Sequence, residues 1–163
     1  MGRGQPLPII FLIKSACLMF VKEYQLKYNR TNTPQPKINS SKDLFDFLLA
    51  HVYDENEINI YENFYILLLN PANKIKGFAK ISQGGINGTS ADPRIIAKYA
   101  VETLATAVVL THNHPSGNTT PSTADRKLTE TVTKALQLLE IKVLDHIVMT
   151  ENNYFSFADN GMI

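Results

Sequence analysis

Residues 64–69 read FYILLL, six apolar side chains in an unbroken run. That is the length of a strand, and a strand with no polar alternate position suits burial on both faces. Covering both faces of a sheet takes helices on each side, which points to an α/β sandwich. Asn70-Pro71-Ala72-Asn73 is a turn signal, so a hairpin partner is expected over 74–81. A second buried strand is expected over 105–110, with closing strands over 141–149 and 154–157.

Helical periodicity fills the spaces between. Ser40 followed by Asp43 resembles an N-cap with an acidic third position, and Leu44, Phe45, Leu48, Leu49 and Val52 recur at helical spacing behind it. Asp92-Pro93 opens a second helix with proline in its first turn, striped by Ile95, Ile96, Tyr99, Ala100 and Leu104. Residues 122–140 predict a third, striped by Leu128, Val132, Leu136 and Leu139. The fold class expected is α/β, a three-layer α/β/α sandwich with a mixed sheet. Gly84, Gly85 and Gly88 mark a loop over 83–88.

The 163 residues are the usual length of one domain, and 44% hydrophobic content supplies one real core. Residues 30–40 are polar with two prolines and read as a linker, dividing an extension over 1–37 from a domain over 38–163. Residues 7–20 are apolar apart from Lys14 and Ser15. That is shorter than the roughly 20 residues of a membrane span. A signal-peptide core is one reading, and Lys14-Ser15-Ala16-Cys17 resembles a lipoprotein cleavage site. An N-terminal helix or strand, or an upstream extension of no consequence, is the other, favoured by Lys14 where an apolar residue is expected. Cys17 is the single cysteine, so no intrachain disulfide forms and any metal ligands are His, Asp or Glu. A cytoplasmic location is expected, with export left open by residues 7–20. A net charge of +1 without a basic cluster argues against a dedicated nucleic-acid binder.

The chemistry concentrates in AVVLTHNHPSGNTTPSTAD, from Ala107 to Asp125. His112 and His114 stand two apart at the end of a strand, so both imidazoles point to one side. Asp125 lies in the first turn of the next helix, three positions before Leu128 and seven before Val132, on its inward stripe. An inward carboxylate is costly unless paired. A divalent ion, zinc by preference, held by His112, His114 and Asp125 supplies that pairing and leaves a fourth tetrahedral position open. Water in such a position has its pKa lowered to about 7. Ser122 has two readings of equal weight: the N-cap of the helix, or a hydroxyl aimed at a developing oxyanion.

His112-x-His114, seven residues, then Ser122-x-x-Asp125 is the spacing of the JAMM (MPN+) metalloprotease motif. HNHPSG at 112–117, PSTAD at 121–125, LDHIV at 144–148 and GTSADPR at 88–94 look like the bacterial RadC family, over residue 37 to the C-terminus. The resemblance implies a cytidine-deaminase-like fold, zinc on His112, His114 and Asp125, and hydrolysis of amide or isopeptide bonds in a protein or peptide-like substrate. The family carries a DNA-repair label without a settled substrate, which implies a nucleic-acid role that the charge does not support. It also implies an upstream glutamate as general base, just before an Ile-Ser-x-Gly-Gly stretch, where this sequence has Lys80. A charged lysine accepts no proton, so a catalytically impaired metal-binding or interaction module is the alternative reading. Glu62 and Glu102 are the nearest other glutamates: Glu62 precedes the buried strand and could approach the site, whereas Glu102 is expected to face solvent.

Other residues have plainer readings. His146 is expected to be a satisfied core or edge histidine, and His51 a cation at a helix C-terminus. Lys74, Lys76 and Lys80 read as a small basic strand face or as solvated surface. Asn113 and Ser116 are expected to shape the loop, with Ser116 also a candidate substrate contact.

Overall fold

The computed structural model describes residues 35–84 and 91–163. The apolar stretch over 7–20, Cys17 and the segment holding Gly85 and Gly88 lie outside the described residues. Five strands form one mixed sheet: β1 (Asn63–Leu69), β2 (Ile75–Gln83), β3 (Ala107–Asn113), β4 (Lys142–Met149) and β5 (Tyr154–Ser156). Their spatial order is β2-β1-β3-β4-β5, parallel between β3 and β4 and antiparallel elsewhere. All seven residues of β1 and all seven of β3 are buried, as strands covered on both faces must be.

Alternation divides the core in two. Tyr65, Leu67 and Leu69 pack with Ala107, Val109, Ile147 and Met149 beneath α1 (Ser41–His51). Phe64, Ile66 and Leu68 pack with Val108, Leu110 and Val143 against α2 (Pro93–Glu102) and α3 (Thr123–Gln137). The result is the expected three-layer α/β/α arrangement, with α1 on one face and α2 and α3 on the other. Ser40 caps α1 by accepting from the Asp43 N–H at 3.1 Å. Asp92 caps α2 in the same way, accepting from the Arg94 N–H at 2.9 Å.

Several expectations need correction. Pro36 and Ile38 are not free linker: the Pro36 carbonyl accepts from Ile75 N at 3.2 Å, and Ile38 N donates to Asn73 O at 3.0 Å. Ile95 is 41% exposed and Leu104 80%, so neither belongs to the inward stripe of α2, which consists of buried Ile96 and Ala100 with Tyr99 partly buried beside them. Leu104 lies beyond the helix at φ 52°, and Glu140 does the same for α3 at φ 57°. Each left-handed residue reverses the chain, and the next N–H returns to a helix carbonyl: Ala105 to Ala100 and Ile141 to Leu136. Leu139 is therefore on the closing turn of α3 and not on its stripe. Lys76 and Lys80 do not share a face: Lys76 Nζ donates to the Thr103 and Leu104 carbonyls at the end of α2, whereas Lys80 stands across from Tyr65 on the α1 side. Among the described residues no helix is long and apolar enough to cross a membrane.

Candidate metal centre

β3 delivers the site. Val108 and Leu110 face α2 and α3, and the same alternation turns His112 to that side, where its side chain is 1% exposed. Phe64, its antiparallel partner on β1, stacks on it at 5.9 Å with an interplanar angle of 7°. His114 follows the strand, held by its N–H on the Met149 carbonyl at 2.9 Å. The chain then turns through Gly117 at φ 81°, a backbone angle that favours glycine. The turn brings the Asn118 carbonyl to 2.6 Å from His114 Nδ1. A carbonyl only accepts, so His114 carries a proton on Nδ1 and its Nε2 faces inward.

Three donor atoms converge there. His112 Nε2 and His114 Nε2 are 3.0 Å apart, and Asp125 Oδ1 is 3.3 Å from the former. Asp125 Oδ2 is 3.9 Å from His114 Nε2. One ligand atom from each of the three residues lies within 4.8 Å of the other two. A tetrahedral zinc with Zn–N of about 2.0–2.1 Å separates two nitrogen ligands by about 3.3 Å, close to the spacing present. The donor set of two imidazoles and one carboxylate fits a divalent ion.

Asp125 is held as an anion. Burial pushes its carboxyl up, but the hydrogen bond and charge of His112, with the bonds from Ser122, outweigh burial and keep it well below the usual carboxylate range. Ser122 forms a capping box with it: Ser122 Oγ accepts from Asp125 N at 3.1 Å, and Ser122 N donates to Asp125 Oδ2 at 2.7 Å. Ser122 Oγ also donates to Oδ2 at 2.6 Å. Its one hydroxyl proton is thereby committed to Asp125.

Two neighbours extend the site beyond the sequence reading. His146 is the expected core histidine, fully buried and stacked on Phe157 at 4.8 Å, but it also reaches the site: its Nε2 lies 2.8 Å from His112 Nδ1. Its Nδ1 meets Thr129 Oγ1 at 2.6 Å. Burial above all, with His112 adjacent, holds His146 well below the usual imidazole range, so it is neutral at pH 7. Asn113, between the two histidines, points to the opposite side of β3. It is a strand residue, not a loop former: Nδ2 donates to the Ile58 and Tyr61 carbonyls at 2.6 and 2.8 Å, and Oδ1 accepts from Asn63 N at 2.8 Å. The signal for it was present, since a polar residue alternating with two site histidines on a buried strand needs partners of its own. Ser116 is exposed on the turn.

Lys80 is not beside the triad, which corrects its assignment to the general-base position. The β1–β2 register sets Phe64 against Ser82 and, across a bulge, Tyr65 against Lys80. Phe64 faces the triad and Tyr65 faces α1, so the bulge leaves Lys80 on the far side of the sheet. Its ammonium donates to Gln83 Oε1 at 3.2 Å, lies 3.6 Å from Glu57 Oε2, and sits 5.4 Å over the Tyr65 ring. Glu102 ends α2 and pairs with Lys98 at 4.0 Å. His51 ends α1 and rests on Phe47 at 5.0 Å.

The model of the RadC-like JAB domain matches residues 38–162. The chain belongs to the RadC-like JAB domain family. Its relatives in that family include a UPF0758 protein of Flavobacterium johnsoniae, 42% identical over 126 residues, which are 77% of this chain and 53% of that protein. A UPF0758 protein of Shewanella pealeana is 37% identical over 93% of this chain and 66% of its own length. A third, from Chlorobium luteolum, is 29% identical over the whole chain and 71% of its own. This RadC-like chain thus spans about half the length of the Flavobacterium relative. The triad strand, its turn and the capped helix all fall within the matched residues.

Proposed function

We propose that residues 38–163 form a metal-dependent hydrolase of amide or isopeptide bonds in a protein or peptide-like substrate, with one zinc ion on His112, His114 and Asp125. The convergence of these three donor groups at the end of β3 carries the reading. An ion there supplies Lewis acidity and a water acidified to near-neutral pKa. The protein contributes the rest: an ionised Asp125 fixed by Ser122, a buried His112, and a partly exposed His114 at the opening. For Ser122 we propose the orienting role, because its proton already serves Asp125.

For the proton acceptor we propose Glu62. Phe64 pairs with His112, and alternation carried back two residues puts position 62 on the same side as both. The Gly84 N–H donates to the Glu62 carbonyl at 2.8 Å, extending the ladder to that residue. The alternative of a catalytically impaired module rested on Lys80, and with Lys80 across the sheet that support is withdrawn.

The test uses zinc-loaded protein with mixed peptides and with branched lysine isopeptides. Glu62→Gln is expected to keep its zinc and lose about 100-fold or more in turnover, the scale of general acid–base catalysis. Wild-type protein that binds one zinc and cleaves neither substrate class would overturn the hydrolase reading. Full turnover in Glu62→Gln would overturn the role given to that residue. A DNA-repair role needs DNA binding that weakens steeply with salt.

A further inference from the structure

After β5 the chain doubles back on itself. Gly161 sits at φ 66°, and the Met162 N–H returns to the Phe157 carbonyl at 2.9 Å, so Met162 and Ile163 lie along α3. On that flank of the helix Arg126, Glu130, Thr133 and Gln137 recur every three or four residues, beside the inward stripe of Thr129, Val132 and Leu136. Helix and tail enclose a crevice of about 360 Å³. Its apolar side is Phe157, Met162 and Ile163, the last two left 37% and 42% exposed. Of its charged groups, Glu130 and Lys134 pair with each other at 2.5 Å. Arg126 pairs with no carboxylate among the described residues: its Nη1 lies 3.7 Å from Met162 Sδ, and a thioether is a weak acceptor. Thr133 has an unmet need as well. Thr129 and Thr131 each donate to the carbonyl four residues back, at 2.6 and 2.8 Å, whereas Thr133 Oγ1 is buried without a partner.

We propose that this crevice binds a small amphipathic carboxylate, a free acid with an aliphatic body, its carboxylate on Arg126 and its chain against Phe157, Met162 and Ile163. A guanidinium takes a carboxylate through two parallel hydrogen bonds, which the Met162 sulfur cannot offer. Covering Met162 and Ile163 removes apolar surface from water and drives the other end of the ligand in. Thr133 lines the same space with a hydroxyl that no protein atom uses. The volume is at the small end of ligand pockets, roughly 300–1,000 Å³, which suits an acyl chain and no folded partner. The helix wall presents side chains only, its backbone groups being bonded within α3, so it favours an aliphatic chain over the amides of a peptide end. The site is separate from the triad. Asp125 and Arg126 are neighbours in the chain, but successive helix residues point about 100° apart, so one turns to His112 and the other to the tail. Binding in the crevice therefore depends on neither the metal nor the hydrolase reading.

The experiment uses the full-length protein, labelled with 13C in its methionine and threonine methyl groups, with and without zinc, and titrated with decanoate below its micelle concentration. Decanoate is expected to shift the Met162 and Thr133 methyl signals saturably, at one site and equally in both metal states. Arg126→Gln should weaken decanoate by about tenfold or more, the scale of a hydrogen bond to a charged group, while decan-1-ol, which lacks the charge, binds both proteins alike. Met162→Glu gives the guanidinium a carboxylate of its own and should abolish decanoate binding with the threonine methyl spectrum otherwise unchanged. Equal affinity of decanoate and decan-1-ol for wild type would overturn the proposal, as would unchanged decanoate affinity in Arg126→Gln. Shifts that require zinc would also overturn it, because the carboxylate then sits on the triad. Tighter binding of an N-acetylated peptide ending in leucine would assign the crevice to a chain end. A dimer that protects Met162 without decanoate, seen by sedimentation, would assign it to a second copy. Either result overturns the small acid as occupant.

Discussion

The side chain of Asn113 accepts a hydrogen bond from the backbone of Asn63 at 2.8 Å, fastening the start of β1 to the end of β3. The same side chain holds the Ile58 and Tyr61 carbonyls, so one carboxamide organises the segment leading to Glu62. Asn113→Ala strands one donor and two acceptors. Loss of buried partners on this scale costs about 3 kcal/mol. Urea denaturation should show a lower midpoint with an unchanged slope. A midpoint equal to wild type would mean that water replaces the clamp.

His114 is the ligand best suited to removal, because it is the outermost of the triad and its loss leaves the strand intact. His114→Ala should fall from one zinc per chain to substoichiometric content after dialysis under metal-replete conditions, as read by elemental analysis. Equal metal content in wild type and variant would place the ion elsewhere.

Ser122→Ala removes a helix cap and one of the bonds that align Asp125. The cap is worth about 1 kcal/mol, visible in thermal unfolding of the zinc-free protein. Zinc affinity should fall by about tenfold, the low end for groups that orient a ligand. Stability loss without a change in affinity would reduce Ser122 to a cap.

Asp145 makes stability depend on pH. Burial raises its carboxyl above the usual value despite bonds from Ser156, Ala158 and His146. A group whose folded pKa exceeds its unfolded one contributes fully below the unfolded value, about 3.9 for aspartate, and its contribution is lost as pH rises through the folded value. Wild-type stability relative to Asp145→Asn should therefore decline as pH increases from about 4 and then level off. A difference that is flat with pH, or that grows, contradicts the raised value.

Lys80→Glu should not create hydrolytic activity or increase any that exists, because the register places residue 80 on the α1 side of the sheet. It exchanges attraction to Glu57 for repulsion in a half-exposed pair, a change of below about 1 kcal/mol. A gain in turnover on this substitution would show that residue 80 reaches the site.

The sequence by itself determined the layers, the elements and the triad. Those depend on local patterning: FYILLL has the length and unbroken apolar character of a covered strand, His112 and His114 share a side because a strand repeats every two residues, and Asp125 falls on the inward stripe of an amphipathic helix. The tertiary structure decided what surrounds the triad. His146 meets His112 only because β4 lies parallel to β3 in one register, a pairing between residues 34 apart in the chain. Lys80 leaves the site because a bulge between Phe64 and Tyr65 changes which side of β2 the residue faces. A one-residue offset inverts every side chain beyond it, and no local pattern along β2 records where the bulge falls.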